Sequence, residues 1–154
     1  MARGLRLRLE FLGEVQLDRT LARFGEHVGN ARALWNVLAD RFGALERRQF
    51  ASEGRYSGGW QALSPDYAEW KERHYPGKPI LERTGDLLRS LTVRPFGVEV
   101  IEDRFMVLGS GIDYAEFHQA GGARLPRRRP VELPESERRD WTRRLQRFVV
   151  TGEV

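Results

Sequence analysis

The residues whose chemistry is worth weighing first are three histidines, a serine between glycines, and a run of arginines. Asp113, Glu116 and His118 lie close together in the chain and are of the types that serve in general acid–base catalysis. At helical spacing, however, Asp113 and Glu116 share a face while His118 points elsewhere, so the set reads as a solvated helix face. Ser110 abuts Gly109 and Gly111 directly and position 112 is Ile. A nucleophile elbow needs one residue between its serine and each glycine, so Gly109-Ser110-Gly111 reads as the turn ending a strand. His27, His74 and His118 fall in three separate elements, whereas a metal requires ligands converging on one point. The chain has no Cys, which excludes disulfides and thiolate sites. Neither a Walker loop nor a dinucleotide fingerprint is present. No catalytic, cofactor-binding or metal-binding residue is assigned, and the expectation is a protein that is not an enzyme.

The arginines carry more weight. All but two of the 26 basic residues are Arg, the exceptions being Lys71 and Lys78, yet the net charge is only +4. A skewed base composition in the genome accounts for Arg standing in for Lys. Between Arg124 and Arg147 nine arginines face four acids. Such a segment could track phosphates, or its wet face could dock on an acidic neighbour. The interleaved Trp141 and Phe148 favour a protein partner, with DNA contact secondary. Trp60, Tyr67, Trp70 and Tyr75 read as a small satellite core under a loop rather than a stacking platform for sugars or bases.

These residues must be positioned by a modest fold. At 154 residues with 40% hydrophobic content, one core is expected. Leu5, Leu7, Leu9 and Phe11 alternate with charges, the period of a half-buried strand. Asp18 is a plausible N-cap, and Leu21, Phe24, Val28, Ala31, Trp35, Leu38, Phe42 and Leu45 follow at steps of three and four. This spacing predicts one helix from about Asp18 to Phe50, about 50 Å long, with Gly25, Gly29 and Gly43 as places to bend. Part of so long a stripe would face another subunit. Ser52 to Gly59 is a loop. Ser64 as N-cap with Pro65 behind it starts a short helix, and Thr84 caps a third from Gly85 to about Leu91. Leu91–Arg94, Val98–Ile101 and Phe105–Leu108 read as an antiparallel meander. A short helix over Asp113–Ala120 stops at Gly121-Gly122. The arm Arg124–Pro130 is held extended by its prolines. Val131–Leu133 reads as a brief strand, and a last helix opens at Pro134 and Ser136. No apolar run approaches a membrane span or the core of a signal peptide, which places synthesis in a cytoplasm.

Four blocks in order resemble the phage virion morphogenesis family, of the Mu-like, tail-completion type. Gly58-Gly59-Trp60-Gln61-Ala62-Leu63-Ser64-Pro65-Asp66-Tyr67 is similar to its G-x-W-x-P-L-S-x-x-Y signature. Pro79 to Leu91, through Ile80-Leu81-Glu82-Arg83-Thr84-Gly85, resembles I-L-x-x-T-G-x-L-x-x-S-I. Val107-Leu108-Gly109-Ser110 with Tyr114-Ala115-Glu116-Phe117-His118-Gln119-Ala120-Gly121 resembles v-x-G-S…Y-A-x-x-H-Q-x-G. Leu125 to Pro130 looks like the I-P-x-R-P-F-L arm before a closing helix. The departures are Ala62, where the family often has Pro, and Val131-Glu132-Leu133, where it favours Phe-Leu.

The resemblance implies a structural virion protein acting late in assembly, where the tail end meets the head. It would complete or terminate the tail and stabilise head joining, as a ring contacting tail tube or head-connector proteins. A ring around the channel would let basic side chains touch genomic DNA without reading it. Trp60, Ser64, Tyr67, Thr84, Gly85, Tyr114, His118, Gln119 and Gly121 are then expected as scaffold. Trp60 would anchor its loop to the sheet, while Tyr114, His118 and Gln119 would hold the Gly121-Gly122 turn. Arg124, Arg127, Arg128, Arg129, Trp141 and Phe148 are expected as an interface arm to the next protomer. The expected architecture is an α+β core over residues 1–123, with about four antiparallel strands packed on one long N-terminal helix, and an arm with a terminal helix over 124–154. The rivals are a DNA-binding accessory protein using the arm and a tail-associated hydrolase.

Overall fold

The computed structural model describes residues 14–154. The expected strand over Leu5–Phe11 lies outside them. Within the described residues the class is α+β: six helices and one two-stranded antiparallel sheet.

The predicted long helix is two helices, α1 (Glu14–Gly29) and α2 (Arg32–Ala51), and α1 begins ahead of the proposed cap Asp18. The reason is visible at the break. Asn30 N–H turns back to the His27 carbonyl at 3.2 Å, and Ala31 N–H leaves the helix for the Asp103 carbonyl at 2.8 Å. Arg32 then grips the same turn, donating to Asp103 Oδ1 at 2.6 Å, Glu102 Oε2 at 2.8 Å and the Ile101 carbonyl at 3.0 Å. A tertiary anchor thus wins over helical continuity at Gly29-Asn30, two residues of poor helix propensity.

After a turn of 3-10 helix at Arg55–Ser57 come α3 (Pro65–His74) and α4 (Asp86–Thr92). Ser64 stands at the N-cap of α3 with Pro65 behind it. The residue capping α4 is Gly85, so Thr84 sits one position earlier, its hydroxyl donating to Asp86 Oδ2 at 2.6 Å. Strands β1 (Val98–Ile101) and β2 (Met106–Gly109) pair from Val98↔Gly109 to Ile101↔Met106. Helices α5 (Ala115–Ala120) and α6 (Glu135–Thr151) complete the chain.

The sheet is smaller than the four strands expected. Leu91 and Thr92 are the last residues of α4, and no strand covers Leu91–Arg94 or Val131–Leu133. Leu87 and Leu91 instead pack into α2, in a cluster with Ala39, Phe42, Phe50, Trp60 and Phe96. A leucine run paired at spacing four serves helix packing better than an edge strand would. A second cluster joins Ala31, at the N-cap of α2, and Leu34 and Leu38 of α2 to Phe148 of α6. Both faces of α2 are therefore covered, whereas α1 packs chiefly on α6.

Candidate functional site

The segment after Trp60 is anchored from both sides. Gly54 takes a left-handed φ of +89°, and a Cβ there would fall 2.2 Å from Trp60 Cδ1, so only glycine lets the indole lie flat on this turn. The ring meets Phe50 edge-on at 5.2 Å, and its Nε1–H donates to the Arg129 carbonyl at 3.0 Å. Trp60 is thus held by α2 and the arginine segment, not by the sheet, and it belongs to the main core. Tyr67, Trp70 and His74 stack along α3 as a separate aromatic group.

The stretch Gln61–Ser64 then runs without regular structure to α3. Together with α3, the Leu81–Arg83 turn, α5 and residues 124–128 it encloses a cleft of about 800 Å³. Tyr67, Tyr114, His118 and Lys71 line it, as do Glu82, Arg83, Arg124 and Arg128. Lys71 and Arg128 are each only 5% exposed. The Lys71 ammonium donates to the Pro79 carbonyl. Arg128 donates from Nε to the Gln61 carbonyl at 2.7 Å and from Nη2 to the Ala62 carbonyl at 3.0 Å. Burial pulls both cations below their usual ranges; Glu53 and Glu82 partly restore Lys71, and Tyr67 does so for Arg128. His118 is depressed by burial first and by Arg128 second, and its buried Nδ1 has no hydrogen-bond partner among the described residues. The Tyr114 and His118 rings meet edge-on at 6.1 Å.

The arginine segment lies on its own domain. Arg128 N–H donates to the His118 carbonyl at 2.9 Å, and Gly122 and Leu125 form an isolated antiparallel bridge at its base. Gln119 closes two hydrogen bonds with Val131, and Gln49 donates to the Arg129 carbonyl at 3.1 Å. Pro130 is fully buried, Phe148 is core and Trp141 packs against both clusters. The single carbonyl of Arg129 accepts from both Trp60 and Gln49, which fastens the segment to its own chain. Arg124 and Arg127 are exposed. A Cβ on Gly121, whose φ is +72°, would meet Arg127 at 2.9 Å, so the hinge is tight. Along α6, Arg138, Arg139, Arg143, Arg144 and Arg147 pair with Glu135, Asp140 and Glu153, and Arg41 of α2 reaches Asp140 at 2.7 Å.

Sequence reading missed the most unusual group. Glu46 of α2 is fully buried, with neither carboxylate oxygen hydrogen-bonded among the described residues. Burial pushes its pKa to about 8; the nearby Glu132 backbone draws it back in part, without a well-formed bond, while the Glu132 charge pushes the same way as burial. The only sequence signal was a Glu in the apolar stripe, one residue beyond Leu45.

The catalytic arrangements do not come together. Asp113 and Glu116 are exposed, and no hydrogen bond joins His118 to an acid or hydroxyl among the described residues. Ser110 pairs with Ser90 at 2.7 Å. His27 bonds the Val149 carbonyl and His74 the Trp70 carbonyl, and no cluster suited to a metal occurs among the described residues. What the geometry defines is a helical scaffold with docked loops. The chain belongs to the phage virion morphogenesis family, which it matches over residues 13–144. No curated protein and no solved structure matches it. Membership points to a structural, virion-associated protein that contacts other virion proteins. No helix among the described residues is long and apolar enough to cross a membrane.

Proposed function

We propose that the chain completes or terminates the phage tail at the head–tail junction, working as a ring of copies against tail tube or head-connector proteins after assembly in the host cytoplasm. The observation that carries this reading is the outer face of α1. Leu17, Leu21 and Val28 are exposed, Leu21 by 54%, as are Leu145 and Val150 of α6 and Val154 beyond its end. A helix of 16 residues with so little cover is marginal alone, and such a surface is what a head-to-tail contact between protomers would bury. Arg124 and Arg127 are exposed as well and available to a neighbour. A DNA-binding accessory role is less well supported, because most arginines of α6 already face carboxylates of their own chain.

Particles made without this protein should accumulate filled heads and unjoined tails. Added wild-type protein should restore joining, and a Leu17→Ser/Leu21→Ser/Val28→Ser variant that keeps its fold should not. Joining that proceeds normally without the protein would refute the reading.

A further inference from the structure

Buried charges in proteins are ordinarily paired, and Lys71 and Arg128 break that pattern. Neither forms an ion pair with a carboxylate among the described residues; each is held only by backbone carbonyls. They open on the same cleft, whose walls carry four cationic side chains against the single carboxylate of Glu82. His118, whose buried Nδ1 has no hydrogen-bond partner among the described residues, also lines this cleft. Along one wall, the amide N–H groups of Gln61, Ala62, Leu63 and Ser64 make no hydrogen bond among the described residues, while the carbonyls of Gln61 and Ala62 accept from Arg128.

We infer that the cleft receives a short extended peptide segment bearing a carboxylate, contributed by a neighbouring virion protein, with its charge set against Lys71 and Arg128. Guanidinium and ammonium donors already half spent on carbonyls suit one carboxylate better than a phosphate dianion, which Glu82 would also repel. A cleft of about 800 Å³ has room for a short peptide. Among the described residues, five acids without an ion pair sit in helices or turns and do not supply the segment. Asp18 and Glu26 lie on α1, Asp66 and Glu116 in the first turns of helices, and Asp113 in a tight turn. The identity of the neighbour rests on the proposed virion role; the cleft chemistry does not.

The test is a titration of the folded protein, followed by amide and imidazole NMR, with three probes. These are a short Val-Glu-Val peptide, its Val-Gln-Val counterpart and inorganic phosphate. The acidic peptide should bind at least about tenfold more tightly than the Gln peptide, perturb the Gln61–Ser64 amides and raise the His118 pKa from its depressed value. Lys71→Met should abolish the preference while leaving the protein folded, because it removes a buried cation that forms no ion pair among the described residues. If that variant misfolds, Arg83→Ala with Arg124→Ala at the exposed rim should weaken the acidic peptide selectively. Equal binding of both peptides, binding of phosphate alone, or no binding would overturn the inference. So would self-association of the protein that Lys71→Met abolishes, since the occupant would then be a second copy. None of these results bears on whether heads and tails join.

Discussion

The side-chain amide of Gln119 pairs with the backbone of Val131 at both ends, donating from Nε2 to the carbonyl at 2.9 Å and accepting from the N–H at 3.1 Å. A single side chain thereby does for one residue what a neighbouring strand does for several. It explains how Val131 is held in place without joining the sheet.

Gln119→Ala should cost about 1–3 kcal/mol, the usual consequence of leaving half-buried polar groups unpaired. Gln119→Glu should cost at least as much near neutral pH, since a carboxylate can still accept from the N–H but repels the carbonyl. Urea unfolding with an unchanged slope would report both. Wild-type stability in either variant would mean that water replaces the pairing.

Glu46 sets a pH dependence with an unusual sign. Its folded pKa of about 8 lies above its ordinary value of 4.5, so between those limits the folded chain holds a proton that the unfolded chain has released. Stability should therefore fall as pH rises through that window and level off above it. Glu46→Gln keeps the neutral shape, so it should flatten the curve and stabilise the protein near pH 8 by on the order of 1–3 kcal/mol. Thermal melts of both proteins from pH 5 to about 9 would decide it; parallel curves would show that Glu46 is ionised in the fold.

These two groups mark what the sequence disclosed and what it withheld. The apolar stripe from Leu21 to Leu45 located the helical spine. It could not reveal the break at Asn30, because Val28, Ala31 and Leu34 keep helical spacing across it while the deciding contacts come from Glu102 and Asp103, far along the chain. Leu91–Arg94 read as a strand because a short apolar run fits either period; its packing on Phe42 and Ala39 was not local information. The Trp60, Thr84 and His118 blocks were visible one by one. Their meeting around one cleft was not, since Lys71, Arg83 and Arg128 carry no spacing signal that joins them. The absence of helix after Leu125 fits its prolines, whereas Arg124 lies in a turn, and the carbonyl acceptors that dock the segment are invisible in side-chain letters.

The turn beneath Trp60 is equally sharp. Gly54→Ala must place a Cβ into the indole at 2.2 Å from a backbone at φ +89°, so it should destabilise by about 2–3 kcal/mol. Trp60→Phe keeps the ring against Phe50 but loses the bond to the Arg129 carbonyl, at about 1 kcal/mol. Combined, the two changes should cost less than their sum, because the smaller ring relieves the clash. Strict additivity in denaturant titrations would show that the strain of Gly54 is confined to its backbone.

His27 is the pin that fastens α1 to the body. Its Nδ1 lies 2.8 Å from the Val149 carbonyl, its ring is 5.8 Å from that of Phe148, and a Cβ on Gly152 would come within 2.7 Å of its Nε2. Because α1 packs chiefly on α6 and is short for independent stability, removing the pin should free this helix before the core loosens. His27→Ala should therefore speed amide exchange along Glu14–Gly29 and admit protease near Asn30, while α2 and α4 keep their protection. Global stability should drop by about 1–2 kcal/mol at most. If α1 carries the contact between copies, the same variant should impair assembly even though its core melts like the parent's. A uniform loss of protection across α1 and α2 would instead show that the two helices unfold as one unit despite the break.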